Sequence, residues 1–388
     1  MLQRAISLFL CLSCLFVVTP ANETDQYNLP PKPLADIAPE VEAYVAQKIQ
    51  TAVDKLNEQI TTHERCFHPL PSAAFGTREG SNVTIEAPPR KPASCGTDKN
   101  EEAILARLRS PDAVARAVYE QLGTGNIFIT NTGKWLNTHK FEHEPSRYTQ
   151  PYLESIYWER PINYATLSPT IRMYGVEFGT DKLDHLFQQG YTYYRKYTAA
   201  RKEGKSEADA LKVPVAWGRS TENLFFGYAV SGVYSNADLA ANLAGLRFYQ
   251  NLASEIQIGD HPIGPKATLV DGHWRPTEVY FTKPPSDRTI YPIPLSILAP
   301  FISSHLNEAY NPSNYLPLLY PIVRTAVKKH ACSEWHAAFP TLTALDLTTR
   351  TAALTTWNGL DYGYKQTSRQ VRLADTCFTQ SKGPVTKE

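Results

Sequence analysis

Two stretches of this chain place ionisable or amide side chains on helices that are otherwise apolar and aromatic: Gly179–Gly190 and Asp238–Gly245. At helical spacing Asp181, His185, Gln188 and Thr192 share one face, while Leu183, Phe187, Gly190 and Tyr194 form the opposing surface. An Asp one turn before a His can fix the imidazole tautomer for general acid/base work, or both can approach one metal ion. The same two residues also suit a purely structural role, as a helix-dipole partner and a satisfied core histidine. Lys182, about 100° around the helix, is expected to point elsewhere.

The second stretch opens on Ser235-Asn236-Ala237-Asp238, the spacing of a capping box with Asp in place of Glu. Asn242 follows one turn after Asp238. Ala237, Ala240, Ala241, Ala244 and Gly245 keep the helix thin, so another backbone can come close. This helix is expected to lie beside the one from Asp181, with Ala241 and Gly245 at the crossing and Phe187, Tyr194, Phe225 and Phe226 around it. Glu222, after Ser220 and Thr221, is either a dipole partner or a buried acid facing the same cluster. His305 and Glu308, at i and i+3, share a face near a helix end that Asn311-Pro312 must terminate. Asp181, His185, Glu222 and Asp238 are therefore the candidate catalytic set, and Gln188, Asn242, His305 and Glu308 its supporting residues. The metal, if one is held, is unspecified beyond a divalent ion.

Read in order, Asp181-Lys182-x-x-His185, then Glu222, then Ser235-x-x-Asp238-Leu239-x-Ala241-Asn242-x-x-Gly245 resembles the VanZ-like family and related small bacterial envelope lipoproteins. The resemblance covers about residues 175–252. It implies helices meeting around a shared polar cluster in or beside the bacterial envelope, with no settled reaction. The chain departs from the pattern in lacking multiple membrane spans.

The elements that must position these residues read as mainly α: an irregular helical globular domain with long Pro-rich loops and a few short strands. Helices are expected over 40–62, 101–108, 111–122 (capped by Ser110), 181–201 (capped by Thr180), 206–212, 222–233, 235–254, 295–310, 315–332 and 345–357. Residues 123–175 read as mostly irregular, with short strands at 126–130 and 170–174, and 267–270 with 278–282 as a hairpin. Residues 1–21 read as a signal peptide: Arg4, an apolar run to Val18, and Ala21 before the cut. Residues 22–100 then form an N-terminal helix and a disulfide-bearing loop region, and 101–388 the main helical domain.

Four cysteines remain after such a signal, and four allow three pairings. Local closure favours Cys66 with Cys95 and Cys332 with Cys377 in an exported, periplasmic or secreted protein. Anchoring through Cys14 is disfavoured because Cys11 stands where a lipobox carries Leu. A net charge of +1 over 388 residues, with no long basic run, argues against a nucleic-acid partner. No later apolar stretch approaches the 20 or so residues of a membrane span. Nucleophile elbows, phosphate loops and HExxH or SxxK patterns are missing. Two functions stay open: a hydrolase acting on envelope lipid or glycan, or a non-catalytic envelope protein whose polar cluster only locks helix packing.

Overall fold

The computed structural model describes residues 23–67, 95–125, 129–158, 167–224, 227–229, 231–278 and 296–379. The chain is mainly α with small two-stranded antiparallel sheets, as its patterning indicates. The first long helix, α1 (Ala38–Glu64), buries Val41, Val45, Ile49, Val53, Leu56 and Ile60 along one stripe, the 3.6-residue period of an amphipathic helix. It packs with α2 (Asp98–Leu108) and α3 (Pro111–Leu122). Ser110 stands at the N-cap of α3, yet its hydroxyl donates to the Arg107 carbonyl (2.6 Å) and caps nothing.

Residues 123–175 are less irregular than expected. Thr130 accepts from the Gly133 amide and starts α4 (Asn131–Thr138), a helix too short and too polar to stand out in sequence. Residues 126–128 of the anticipated strand lie outside the described residues. The other expected strand is present as β1 (Thr170–Met173), paired with β2 (Val176–Gly179). The turn between them puts Tyr174 and Gly175 at positive φ.

The helix from residue 181 is interrupted. It begins as α5 (Thr180–Asp184), with Gly179 and not Thr180 at the cap. It passes through a π turn (His185–Gln189) and resumes as α6 (Gly190–Lys202). A π turn inserts an extra residue per turn and frees carbonyls, so side chains beyond it rotate off the face they would otherwise share. The Phe187 carbonyl takes a hydrogen bond from the Tyr249 hydroxyl (2.7 Å).

Next comes α7 (Glu207–Asn223), capped by Ser206 and continuing through Pro214 past the expected end at 212. Packing against α6 outweighs the one backbone bond that Pro214 cannot make. Among the described residues of 222–233 the expected helix is not formed: Glu222 lies in the last turn of α7, and Val233–Tyr234 form β3, paired with β8 (Asn314–Tyr315). Phe225 and Phe226 lie outside the described residues.

Capped by Ser235, α8 (Asn236–Asn251) is buried on every side from Asn236 to Leu246 and is the centre of the molecule. It packs on the π turn and α6, as expected. A Cβ on Gly245 would lie 2.1 Å from the Leu186 carbonyl oxygen and 2.7 Å from the Gly190 Cα. Backbone meets backbone there, and only glycine fits. Gly245→Leu is therefore expected to cost at least about 3 kcal/mol through overpacking, read as a lowered midpoint in chemical unfolding. An unchanged midpoint would place the crossing elsewhere.

Beyond α8 lie the hairpins β4–β5 (Ile256–Ile258, His261–Ile263) and β6–β7 (Ala267–Val270, His273–Pro276). The second strand of the expected hairpin thus falls at 273–276, because Asp271-Gly272 supplies a tight positive-φ turn. Residues 279–282 lie outside the described residues. From 296 to 312 the helix anticipated from apolar content is only two 3₁₀ turns, Ala299–Phe301 and Ser304–Leu306. The Ser296 hydroxyl and the Asn307 side-chain oxygen accept local backbone amides that a helix would need. The C-terminal part holds α9 (Leu319–Ala326), a second π turn (Val327–Ala331), α10 (Cys332–Ala338), α11 (Ala344–Ala353) and α12 (Leu373–Thr376).

Two apolar cores result. The larger runs from α1 through α8 to Tyr362, and the smaller gathers Tyr27, Tyr157, Val233, Tyr315, Trp335 and Val371. Both anticipated disulfides are formed, Cys66–Cys95 beside the end of α1 and Cys332–Cys377 across the smaller core. No described helix is long and apolar enough to cross a membrane.

Candidate functional site

Where α5 starts, polar side chains are fully buried. Lys182 has no solvent exposure, and its ammonium donates to Asp181 Oδ2 (2.7 Å), Asp238 Oδ1 (2.6 Å) and Glu308 Oε1 (2.5 Å). Three donors thus meet three carboxylates, the full capacity of an ammonium group. Asp181 comes from the first turn of α5, Asp238 from the first turn of α8, and Glu308 from the loop after the second 3₁₀ turn. Lys182 was expected to point away and is instead the centre. In the first turn of a short helix its long side chain is set by what surrounds it, and helix rotation alone does not decide its contacts.

The N-terminal segment closes the cluster. Residues 23–28, Glu-Thr-Asp-Gln-Tyr-Asn, are all buried. Thr24 Oγ1 donates to Asp181 Oδ1 (2.7 Å), and Gln26 Oε1 accepts the Glu308 amide (2.6 Å). Glu23 is 1 % exposed, and its Oε2 has no hydrogen-bond partner among the described residues. Nothing in the spacing of this segment marks it as a partner of residues 181–308.

His185 sits at the edge, with its side chain 14 % exposed where its neighbours are closed to solvent. Its Nδ1 is hydrogen-bonded to Asn242 Oδ1 (3.0 Å), and its Nε2 faces Asp238 Oδ2 at 3.3 Å as a charge contact. Asp181 bonds Lys182 and Thr24 among the described residues, so the histidine is oriented from α8, not from Asp181.

Glu222 is buried beside the cluster, and its Oε2 accepts the Ser235 backbone amide (3.2 Å). That amide is the donor which Asp238 would cover in a capping box. Ser235 Oγ does accept the Asp238 amide (3.1 Å), but the Asp238 carboxylate is drawn to Lys182 and His185. Half of the expected box is therefore replaced by Glu222.

The i, i+3 pair separates. Glu308 joins the cluster, while His305 Nε2 meets the Thr356 carbonyl (2.9 Å) and its ring packs edge-on against Tyr362. A 3₁₀ turn ends between them, so they no longer share a face. Gln188, past the start of the π turn, makes no hydrogen bond to the cluster among the described residues.

Five acids around one lysine cannot all stay ionised out of water. Burial pushes the Glu23 and Glu222 carboxyls well above the usual range, and the nearby Glu308 and Asp238 charges act in the same direction. Burial pushes Glu308 up to about 7 against the pull of Lys182. For Asp238 burial works upward too, but His185 and Lys182 hold it below the ordinary value. Burial alone would lower Lys182; Asp181, Asp238 and Glu308 hold it well above the usual lysine range. Next to His185 along the chain, burial raises Asp184 to about 6, and the carboxylate accepts from the Thr130 hydroxyl.

Asp181, Asp238 and Glu308 could share a cation, with ligand oxygens within 4.8 Å of one another. The point common to the three is where the Lys182 ammonium lies. The chain supplies its own cation, and the donor set does not fit a metal while that ammonium is in place. Comparison with protein-family models, with curated proteins and with solved structures finds no match to this chain.

Proposed function

We propose that this chain is an exported cell-envelope protein that works by binding and not by catalysis, its Lys182 network locking three separate parts of the fold together. The ammonium at the centre of Asp181, Asp238 and Glu308 carries this reading, because it fills the place a catalytic metal would take. His185 is held from within the fold, its Nδ1 hydrogen-bonded to Asn242 and its Nε2 facing the Asp238 carboxylate. A buried polar network of this kind specifies one arrangement of its elements, which is the use such a cluster has without turnover. Two disulfides suit an oxidising compartment. The VanZ-like order of residues between about 175 and 252 suits a place in or beside the bacterial envelope.

A hydrolase acting on envelope lipid or glycan is the second reading. The edge position of His185, facing Asp238 and next to Asp184, whose pKa is raised to about 6, favours it. His185 variants separate the two. For a lock, His185→Ala lowers stability by about 1–3 kcal/mol, the cost of leaving buried partners unsatisfied. In that case neither parent nor variant releases fatty acid or reducing sugar from isolated cell envelopes. If the parent releases either product, and His185→Gln abolishes release at unchanged thermal stability, the hydrolase reading replaces the lock.

A further inference from the structure

One large opening in the molecule shares no residue with the Lys182 cluster. A cleft of about 1310 Å³ runs between α1, α3 and α6. That exceeds the 300–1,000 Å³ typical of small-molecule pockets and suits an extended chain. Six Lys or Arg side chains line it against two acids, although the whole chain carries a net charge of only +1. Both acids are already used: Asp112 accepts from Lys202 (2.6 Å) and the Tyr194 hydroxyl (2.8 Å), and Glu120 from Arg116 (2.9 Å). Lys55, Arg107, Arg195 and Arg201 have no carboxylate partner among the described residues. Their excess charge is therefore presented to whatever enters.

The cleft wall also carries tyrosines. Tyr191 and Tyr197 are half-buried there, and Tyr119 stacks on Tyr191 at 4.2 Å between ring centroids, holding that ring in place. Fixed rings with a polar tip give contact area at low entropic cost and suit the faces of sugar rings. Guanidinium forks suit the oxyanions such sugars carry. We propose that this cleft binds an anionic glycan, a sugar polymer bearing carboxylate or other oxyanion groups. A nucleic acid would also meet charge and aromatic rings, but the disulfides belong to an oxidising, extracytoplasmic setting where glycans are the abundant polyanions.

The test uses the full chain with three probes: oligogalacturonate, neutral maltodextrin of similar length, and oligothymidylate of matching charge. Oligogalacturonate is expected to bind, more weakly as salt rises, and maltodextrin is not. The double variant Arg107→Gln/Arg195→Gln removes two exposed cations and is expected to bind oligogalacturonate about tenfold more weakly, with an unchanged thermal midpoint. Tyr191→Ala should weaken oligogalacturonate more than oligothymidylate. No binding of oligogalacturonate, equal binding by the double variant, or tighter binding of oligothymidylate overturns the proposal. The Lys182 network is untouched by these variants, so the outcome is independent of the lock.

Discussion

Lys182→Met is expected to destabilise the protein by about 3–5 kcal/mol, the cost of removing one partner from a buried ion cluster. The methionine retains most of the volume, so the loss is electrostatic. Asp181, Asp238 and Glu308 would stay within a few ångströms of one another with no cation between them. The three are not equivalent. Asp238 is held ionised by His185 and Lys182, whereas Glu308 is pushed up to about 7 by burial. At pH 6 Asp238→Asn should therefore cost clearly more than Glu308→Gln, since the amide resembles the protonated acid. Urea unfolding of the three variants at that pH is the measurement. A Lys182→Met protein as stable as its parent, or Glu308→Gln as damaging as Asp238→Asn, would remove the network from the role given to it.

Stability is also expected to fall as pH rises from about 5 to 8. Glu23, Glu222 and Glu308 all have pKa values above the ordinary 4.5 in the folded chain. An acid that binds its proton more tightly when folded contributes fully below its unfolded value. That contribution is lost as pH climbs through its folded value. For Glu308 alone the rise to about 7 corresponds to a few kcal/mol, at about 1.4 kcal/mol per pH unit. Asp238 has the opposite sign: its contribution is present above the ordinary 3.8 and fades as pH falls further. The thermal midpoint should thus peak in mildly acidic solution and decline toward pH 8, and Glu308→Gln should flatten that decline. A midpoint level or rising between pH 5 and 8 would mean that the three acids ionise freely in the folded state.

The parts of this molecule legible in sequence are those governed by local rules. The stripe of α1, the cap at Ser235, the small residues of α8 and the two local disulfides each depend on spacing along one segment. Asp181, His185, Asp238 and Asn242 could be gathered in advance because one helix face and one helix start hold them. The Gly245 crossing was legible as well, since a run of Ala and Gly on a buried helix has few uses besides close approach.

What the tertiary structure decided is where long and acidic side chains find their partners. Lys182 looked peripheral from helix rotation, but burial leaves an ammonium no choice except the carboxylates around it, so it became the hub. Glu308 and residues 23–28 reach the site across 126 or more positions of chain, and no periodicity encodes such a meeting. Gln188 lies within the π turn at His185–Gln189, which meets Gly245 backbone to backbone, and a regular helical repeat does not describe its place. Sequence by itself determined the features that one segment carries alone, the stripe of α1 and the small-residue face of α8 among them. The fold alone determined that acids from three separate parts of the chain would meet on one lysine.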